Sequence, residues 1–163
     1  MYPDFKELLS VFNAHNAKYL IAGAYAVSLH AQPRATKDLD ILIRAEADNA
    51  RAIHAALAEF GAPLEGLTPA DFAEPGPFLR MGRDPVAVDI LSEIPGIDFD
   101  AAWERRVEHV IDAASGLKAN FICADDLIAS KLAAGRPQDI ADAAAIQKAA
   151  ESRTGAKRGS PDQ

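Results

Sequence analysis

Residues 34–43, RATKDLDILI, constrain the fold of this chain more than any other stretch. From Asp38 onward the residues alternate: Leu39, Ile41 and Ile43 against Asp38, Asp40 and Leu42. Residues two apart in a strand share a face and lie roughly 6.5–7 Å apart. One face of this strand is therefore wholly apolar, while the other begins with two carboxylates and turns apolar at Leu42. Asp is depleted in strands, and a charged edge kept soluble is the plainest explanation for such a pair. Here only the beginning of the strand is polar, which is the pattern of a site at the rim of a sheet. Two carboxylates this close repel by roughly 2–3 kcal/mol at an effective dielectric near 20. A divalent cation turns that penalty into attraction, and Mg²⁺ is commonly held by one or two carboxylates together with substrate phosphates.

A third acid points the same way. Asp89 lies in PVAVDIL, an otherwise apolar strand. An isolated buried carboxylate is costly, so Asp89 must reach a rim, pair with a cation or join a metal. Phosphate chemistry also needs donors, and IAGAYAVS places Gly23 at a strand-to-helix junction. A glycine there admits close backbone approach, and the helix start offers free N–H groups to an anion.

The rest of the chain supplies the frame. Phe5, Leu8, Leu9 and Phe12 form one apolar helical face after Pro3. KYLIAG reads as a short buried strand, AYAVSLHA as a helix stopped before Pro33, and EADNARAIHAALAEF as a helix capped by Gly61. Residues 61–76 read as loop. Residues 78–81 pair with residues 86–91 across a turn at GRDP, and VEHVI with LKANFI around DAASG. PGIDFDAAWERR holds a short helix in which Trp103 anchors on the sheet. Two helices follow, the first with Asp125 and Asp126 at its start for capping and the helix dipole, the second opening at Pro137. The expected fold is α/β (α+β), a mixed sheet flanked by helices with further helices at the C-terminus. Residues 1–150 make one domain, and the polar residues 151–163 are expected to be disordered.

Composition excludes several classes. The chain has 163 residues, 49% hydrophobic and 25% charged, with a formal net charge of -7. Such a chain has no global pull on nucleic acid, although a local basic groove remains open to it. Cys123 is the only cysteine, which excludes an intrachain disulfide and a thiolate zinc site and fits a cytoplasmic protein. No run approaches the roughly 20 apolar residues of a membrane span. His15, His30, His54 and His109 show no metal spacing.

A strand ending in Gly and a small residue, a helix, D-x-D on the next strand and a distant Asp on another together resemble the polymerase-β-like nucleotidyltransferase superfamily. Here these are LIAGAYAV, ATKDLDILI and VAVDIL. More closely, residues 19–41 resemble the small bacterial group that includes abortive-infection toxin-like nucleotidyltransferases, in which Arg and Thr precede the acidic pair, as Arg34 and Thr36 do. DDLIASKLAAGRPQDIADA is similar to that group's C-terminal pattern, with Lys131, Arg136, Asp139 and Asp142 in its places.

The resemblance implies a minimal nucleotidyltransferase fold with Asp38, Asp40 and Asp89 as catalytic residues, Asp38 and Asp40 binding two Mg²⁺ ions and Asp89 completing one metal site and helping to deprotonate the attacking hydroxyl. It places Gly23, Ala24, Ser28, Arg34, Thr36 and Lys131 near the nucleotide. It implies transfer of a nucleoside monophosphate from an NTP to a hydroxyl, with a small compound, a tRNA end or a protein side chain as acceptor. Taken alone, Lys131 also suits a solvated helix face, and Arg136 with Asp139 a local ion pair. Many members carry Gly-Gly or Gly-Ser where this chain has Gly23-Ala24. Ala24 keeps a backbone N–H but lacks the hydroxyl, so a catalytically silent module that binds nucleotide or a protein is the alternative.

Overall fold

A computed structural model of the chain describes residues 1–76, 79–83 and 86–158. Among them are six α-helices and six strands. In chain order these are α1 (Pro3–Ala14), β1 (Tyr19–Ile21), α2 (Gly23–His30), β2 (Asp38–Ile43), α3 (Ala47–Phe60), β3 (Leu79–Arg83), β4 (Val86–Leu91), α4 (Phe99–Glu104), β5 (Val107–Asp112), β6 (Leu117–Phe121), α5 (Ala124–Ala134) and α6 (Pro137–Arg158). The loop after α3 contains one 3₁₀ turn, Pro69–Phe72.

The strands form one sheet in the order β3-β4-β2-β1-β6-β5. Pairs β2/β4 and β1/β6 are parallel, while β1/β2, β3/β4 and β5/β6 are antiparallel. The mixed α/β sheet expected from the sequence is thus the sheet observed.

The alternation in β2 explains its central place. Its apolar face, Leu39, Ile41 and Ile43, joins Tyr19 and Ile21 of β1 and Val88 and Ile90 of β4 in the main core. Phe5, Leu8, Leu9 and Phe12 of α1 and Ile53, Ala56 and Leu57 of α3 close that face. Each fully buried Leu, Ile or Phe contributes roughly 1.5–3 kcal/mol. On the opposite face Leu20 and Leu42 pack under Ala102 with Phe99 and Trp103 of α4, the anchoring role expected of Trp103. This leaves α4 over one end of that face and the carboxylates at the other.

Asn49 of α3 ties the elements together. Its amide nitrogen donates to the carbonyls of Lys18 and Arg44, each at 2.9 Å, and its Oδ1 accepts from the Lys18 N–H at 2.7 Å.

Two expectations need correction. The chain beyond Ala150 is not disordered throughout: α6 continues to Arg158. An established helix propagates cheaply, and Arg153 in this extension donates to the His30 carbonyl. Residues 159–163 lie outside the described part, as do residues 77–78 and 84–85, so the start of the expected first hairpin strand at Phe78 and part of its GRDP stretch are not described. Asp125 and Asp126 do fall in the first turn of α5, where the dipole favours them, but capping is not the role of Asp126. It receives two hydrogen bonds from Arg105, Nη2 at 2.7 Å and Nε at 3.1 Å, and the α5 N-cap residue Cys123 makes no side-chain cap.

Candidate active site

The parallel register of β2 and β4 sets Asp40 beside Asp89 and Asp38 beside Ala87. Because side chains alternate, Asp38, Asp40 and Asp89 share one face. The antiparallel register of β3 then places Arg80 beside Asp89. Its Nη1 donates to both oxygens of Asp89, at 3.1 and 3.0 Å, while its Nη2 lies 3.7 Å from Asp38 Oδ1. One guanidinium therefore spans two of the three acids. Asp89 is only 8% exposed, and burial pushes its pKa up against the opposing pull of Arg80. Asp40 is also pushed above the usual carboxylate range, first by burial, then by the charges of Asp89 and Asp38, with Lys131 and Arg80 pulling the other way.

Gly23 is fitted to Asp40. Its φ is +60°, and a Cβ built on it would lie 1.9 Å from Asp40 Oδ2 and 2.7 Å from its Cγ. Glycine permits both the left-handed backbone and the contact. The Ala22 N–H bonds the Asp40 carbonyl at 2.9 Å, so the start of α2 is seated directly on the acidic strand. Its N-cap, Ala22, has no side chain able to cap, and the first N–H groups of a helix have no intrahelical partner.

Facing the carboxylates is a wall of cations held by buried acids. Asp139 and Asp142, one turn apart on α6, are 1% and 4% exposed. Asp139 receives Arg136 Nε at 2.6 Å and Lys131 Nζ at 3.1 Å. Asp142 Oδ1 receives Arg34 Nη1 at 2.7 Å and Gln138 Nε2 at 3.0 Å. Its Oδ2 accepts no hydrogen bond in good geometry, although Lys131 Nζ lies 3.1 Å away. Arg136 holds the Asp139 pKa down. The local Arg136–Asp139 pair is thus present, and it is part of a larger network. Lys131 is not a solvated helix-face residue: its side chain is 14% exposed and fixed by two carboxylates.

Between the two walls lies a cavity of about 520 Å³. Asp38, Asp40, Gly23, Ala24, Arg34, Thr36, Lys131 and Arg136 line it, with Leu91, Ile94, Pro95 and Leu127 as an apolar side. Two sequence-derived candidates stand apart. Ser28 does not line the cavity; its hydroxyl accepts from the Arg34 N–H at 3.3 Å and steadies that loop. Asp89 is engaged by Arg80 and does not line the cavity. Thr36 donates to the Asp38 carbonyl at 3.2 Å, which fixes the approach to the acidic pair.

The match to known families settles what kind of chain carries this arrangement. A family model described as "Nucleotidyltransferase of unknown function (DUF6036)" matches residues 4–150. The chain belongs to this nucleotidyltransferase family. Among curated proteins no match was found. The family match spans α1 through the greater part of α6, so both walls of the cavity lie within it.

Arg80 is the residue that sequence reading missed. The expected turn at GRDP would set Arg80 across from Ala87; β3 instead runs on to Arg83, and that register sets Arg80 across from Asp89. The donor set suits a hard cation, since Asp38, Asp40 and Asp89 on one face offer oxygen ligands, two of them toward the cavity. Among the described residues no three His, Cys, Asp or Glu side chains are gathered closely enough to hold a metal as they stand. The guanidinium of Arg80 reaches into the space between Asp38 and Asp89.

Proposed function

We propose that the protein is a Mg²⁺-dependent nucleotidyltransferase that moves a nucleoside monophosphate from an NTP to a hydroxyl of an acceptor. The observation that carries this reading is the opposition of two charged walls across one cavity, with Asp38 and Asp40 on one side and Lys131, Arg34 and Arg136 on the other. Asp38, Asp40 and Asp89 would hold the metal, which when bound stabilises charge on the attacking and leaving oxygens. Positioning and electrostatics supply most of the catalysis of phosphoryl transfer. Lys131 and the two arginines meet the triphosphate, with Arg in a planar fork and Lys as a compact charge. The start of α2 adds backbone N–H donors at Gly23 and Ala24. Leu91, Ile94, Pro95 and Leu127 offer the base or sugar an apolar wall.

The balance of the reaction is simple. The acceptor oxygen bonds to the α-phosphorus, the bond from that phosphorus to the bridging oxygen breaks, and pyrophosphate leaves. The acceptor proton passes to a nearby carboxylate or to water. A small hydroxyl compound, a tRNA end and a protein side chain all fit this chemistry. Pyrophosphate release across a panel of such acceptors tests the reading. Release with at least one, dependent on Mg²⁺ and lost in Asp40→Asn, supports it; no release with any overturns it.

One observation favours a second reading, a silent binding module: Arg80 already neutralises Asp89, and Ala24 brings no hydroxyl. Calorimetry that finds tight Mg²⁺–NTP binding with no turnover would establish that reading. The abortive-infection toxin-like role is supported by the sequence pattern of Lys131, Arg136, Asp139 and Asp142. Growth arrest on expression in a bacterial host, abolished by Asp40→Asn, is its test.

A further inference from the structure

Arg80 holds the place a metal needs. Its guanidinium donates twice to Asp89 and lies 3.7 Å from Asp38. These are two of the three acids assigned above to the cation. One guanidinium nitrogen shared between both oxygens of a carboxylate makes a charge-assisted pair, and Asp89 at 8% exposure needs a positive partner to stay ionised. The same residue is built to leave. Its side chain is 42% exposed. Among the described residues its strand β3 is at the end of the sheet, beside β4 alone, so the guanidinium can turn toward solvent without uncovering the core.

We infer that Arg80 is an exchangeable internal counter-ion, which occupies Asp89 and Asp38 until a divalent cation displaces it, so that cation loading and Arg80 release are one coupled event. The inference rests on the metal-binding reading of the three acids and goes beyond it. It assigns a competitor to the site and predicts that this competitor sets the cation affinity. Cation arrival and guanidinium departure keep the buried carboxylate paired throughout. The released guanidinium stays tethered beside the incoming triphosphate, whose oxygens suit its fork.

The test uses the full chain and Mn²⁺ alone, titrated by electron paramagnetic resonance, with wild type, Arg80→Gln, Arg80→Lys and Asp38→Ala compared. Arg80→Gln removes the competitor and is expected to bind Mn²⁺ roughly 1.5- to fivefold more tightly than wild type, the range set by a partly exposed ion pair. Arg80→Lys keeps a charge for Asp89 but loses the second nitrogen that reaches toward Asp38, and falls between the two. In wild type carrying ¹⁵N-labelled arginine, Mg²⁺ should shift the Arg80 side-chain resonance, assigned by its loss in Arg80→Gln. If wild type binds Mn²⁺ in an Asp38-dependent way and Arg80→Gln binds no more tightly, the counter-ion inference is wrong while the metal site stands. If neither wild type nor Arg80→Gln binds, the metal reading falls and the inference falls with it. Should Arg80→Gln fail to fold, Arg80→Lys decides, both by its Mn²⁺ affinity and by assigning the Arg80 resonance through its loss.

Discussion

Replacing Gly23 by alanine attacks the site through its backbone. At φ +60° an L-residue costs roughly 1–2 kcal/mol. The new methyl would also sit 1.9 Å from Asp40 Oδ2 and 2.9 Å from Asp40 Cβ. The carboxylate must swing away, and an off-rotamer side chain or local shift adds about 1 kcal/mol. The expected loss is about 2–3 kcal/mol, together with displacement of Asp40 from the cavity. Gly61→Ala is the control. Gly61 also has a positive φ, +88°, but nothing lies within 4 Å of its added Cβ, so it suffers strain without collision. Urea unfolding of both variants, with a Mn²⁺ titration of each, separates the two effects. Gly23→Ala should lose more stability than Gly61→Ala and most of its cation affinity, while Gly61→Ala keeps that affinity. Equal stability losses with cation binding intact in both would refute the fit between Gly23 and Asp40.

Other outcomes follow from the same contacts. Asp139→Asn removes the charge that holds Lys131 and Arg136; KM for the NTP should rise roughly tenfold, about 1.4 kcal/mol, with a smaller change in kcat in steady-state kinetics. Asn49→Ala deletes three part-buried hydrogen bonds of 2.7–2.9 Å to the backbone of Lys18 and Arg44, so chemical denaturation should show a loss of about 2–4 kcal/mol. The pKa of Asp40 is raised from 3.8 in the folded state, so its contribution to stability is full below about pH 4 and is lost as pH rises through the raised value. Without divalent cations, Asp40→Asn should therefore match wild type near pH 4 and be the more stable protein above that window. Lower stability of the variant at neutral pH, measured by unfolding across a pH series, would contradict this.

Much of the frame was legible because periodicity carries it. The faces of α1, β2 and α3 are set by spacing alone, and Gly61 and Gly135 end their helices in the left-handed region. The pairing of Asp38 and Asp40 was legible because a strand's two-residue period leaves them no other geometry. Their meeting with Asp89 required the parallel register of β2 and β4, which no local pattern encodes. Lys131 could be read as solvated because its partners, Asp139 and Asp142, lie beyond the Gly135 turn on the next helix. Ser28 was placed near the phosphates by resemblance, yet its hydroxyl turns to Arg34. The disorder expected after Ala150 failed for a similar reason: polar composition does not reveal that Arg153 finds a carbonyl 123 residues away.

The central claim is that three strand carboxylates serve nucleotidyl transfer. Incubation with NTP labelled at the α-phosphate, Mg²⁺ and the acceptor panel tests it most directly, with wild type beside Asp38→Ala and Asp89→Ala. The account predicts label transferred by wild type only when Mg²⁺ is present, and a loss of at least about 100-fold in each variant, as expected when a group stabilising the transition state is removed. Equal labelling by wild type and both variants would contradict it.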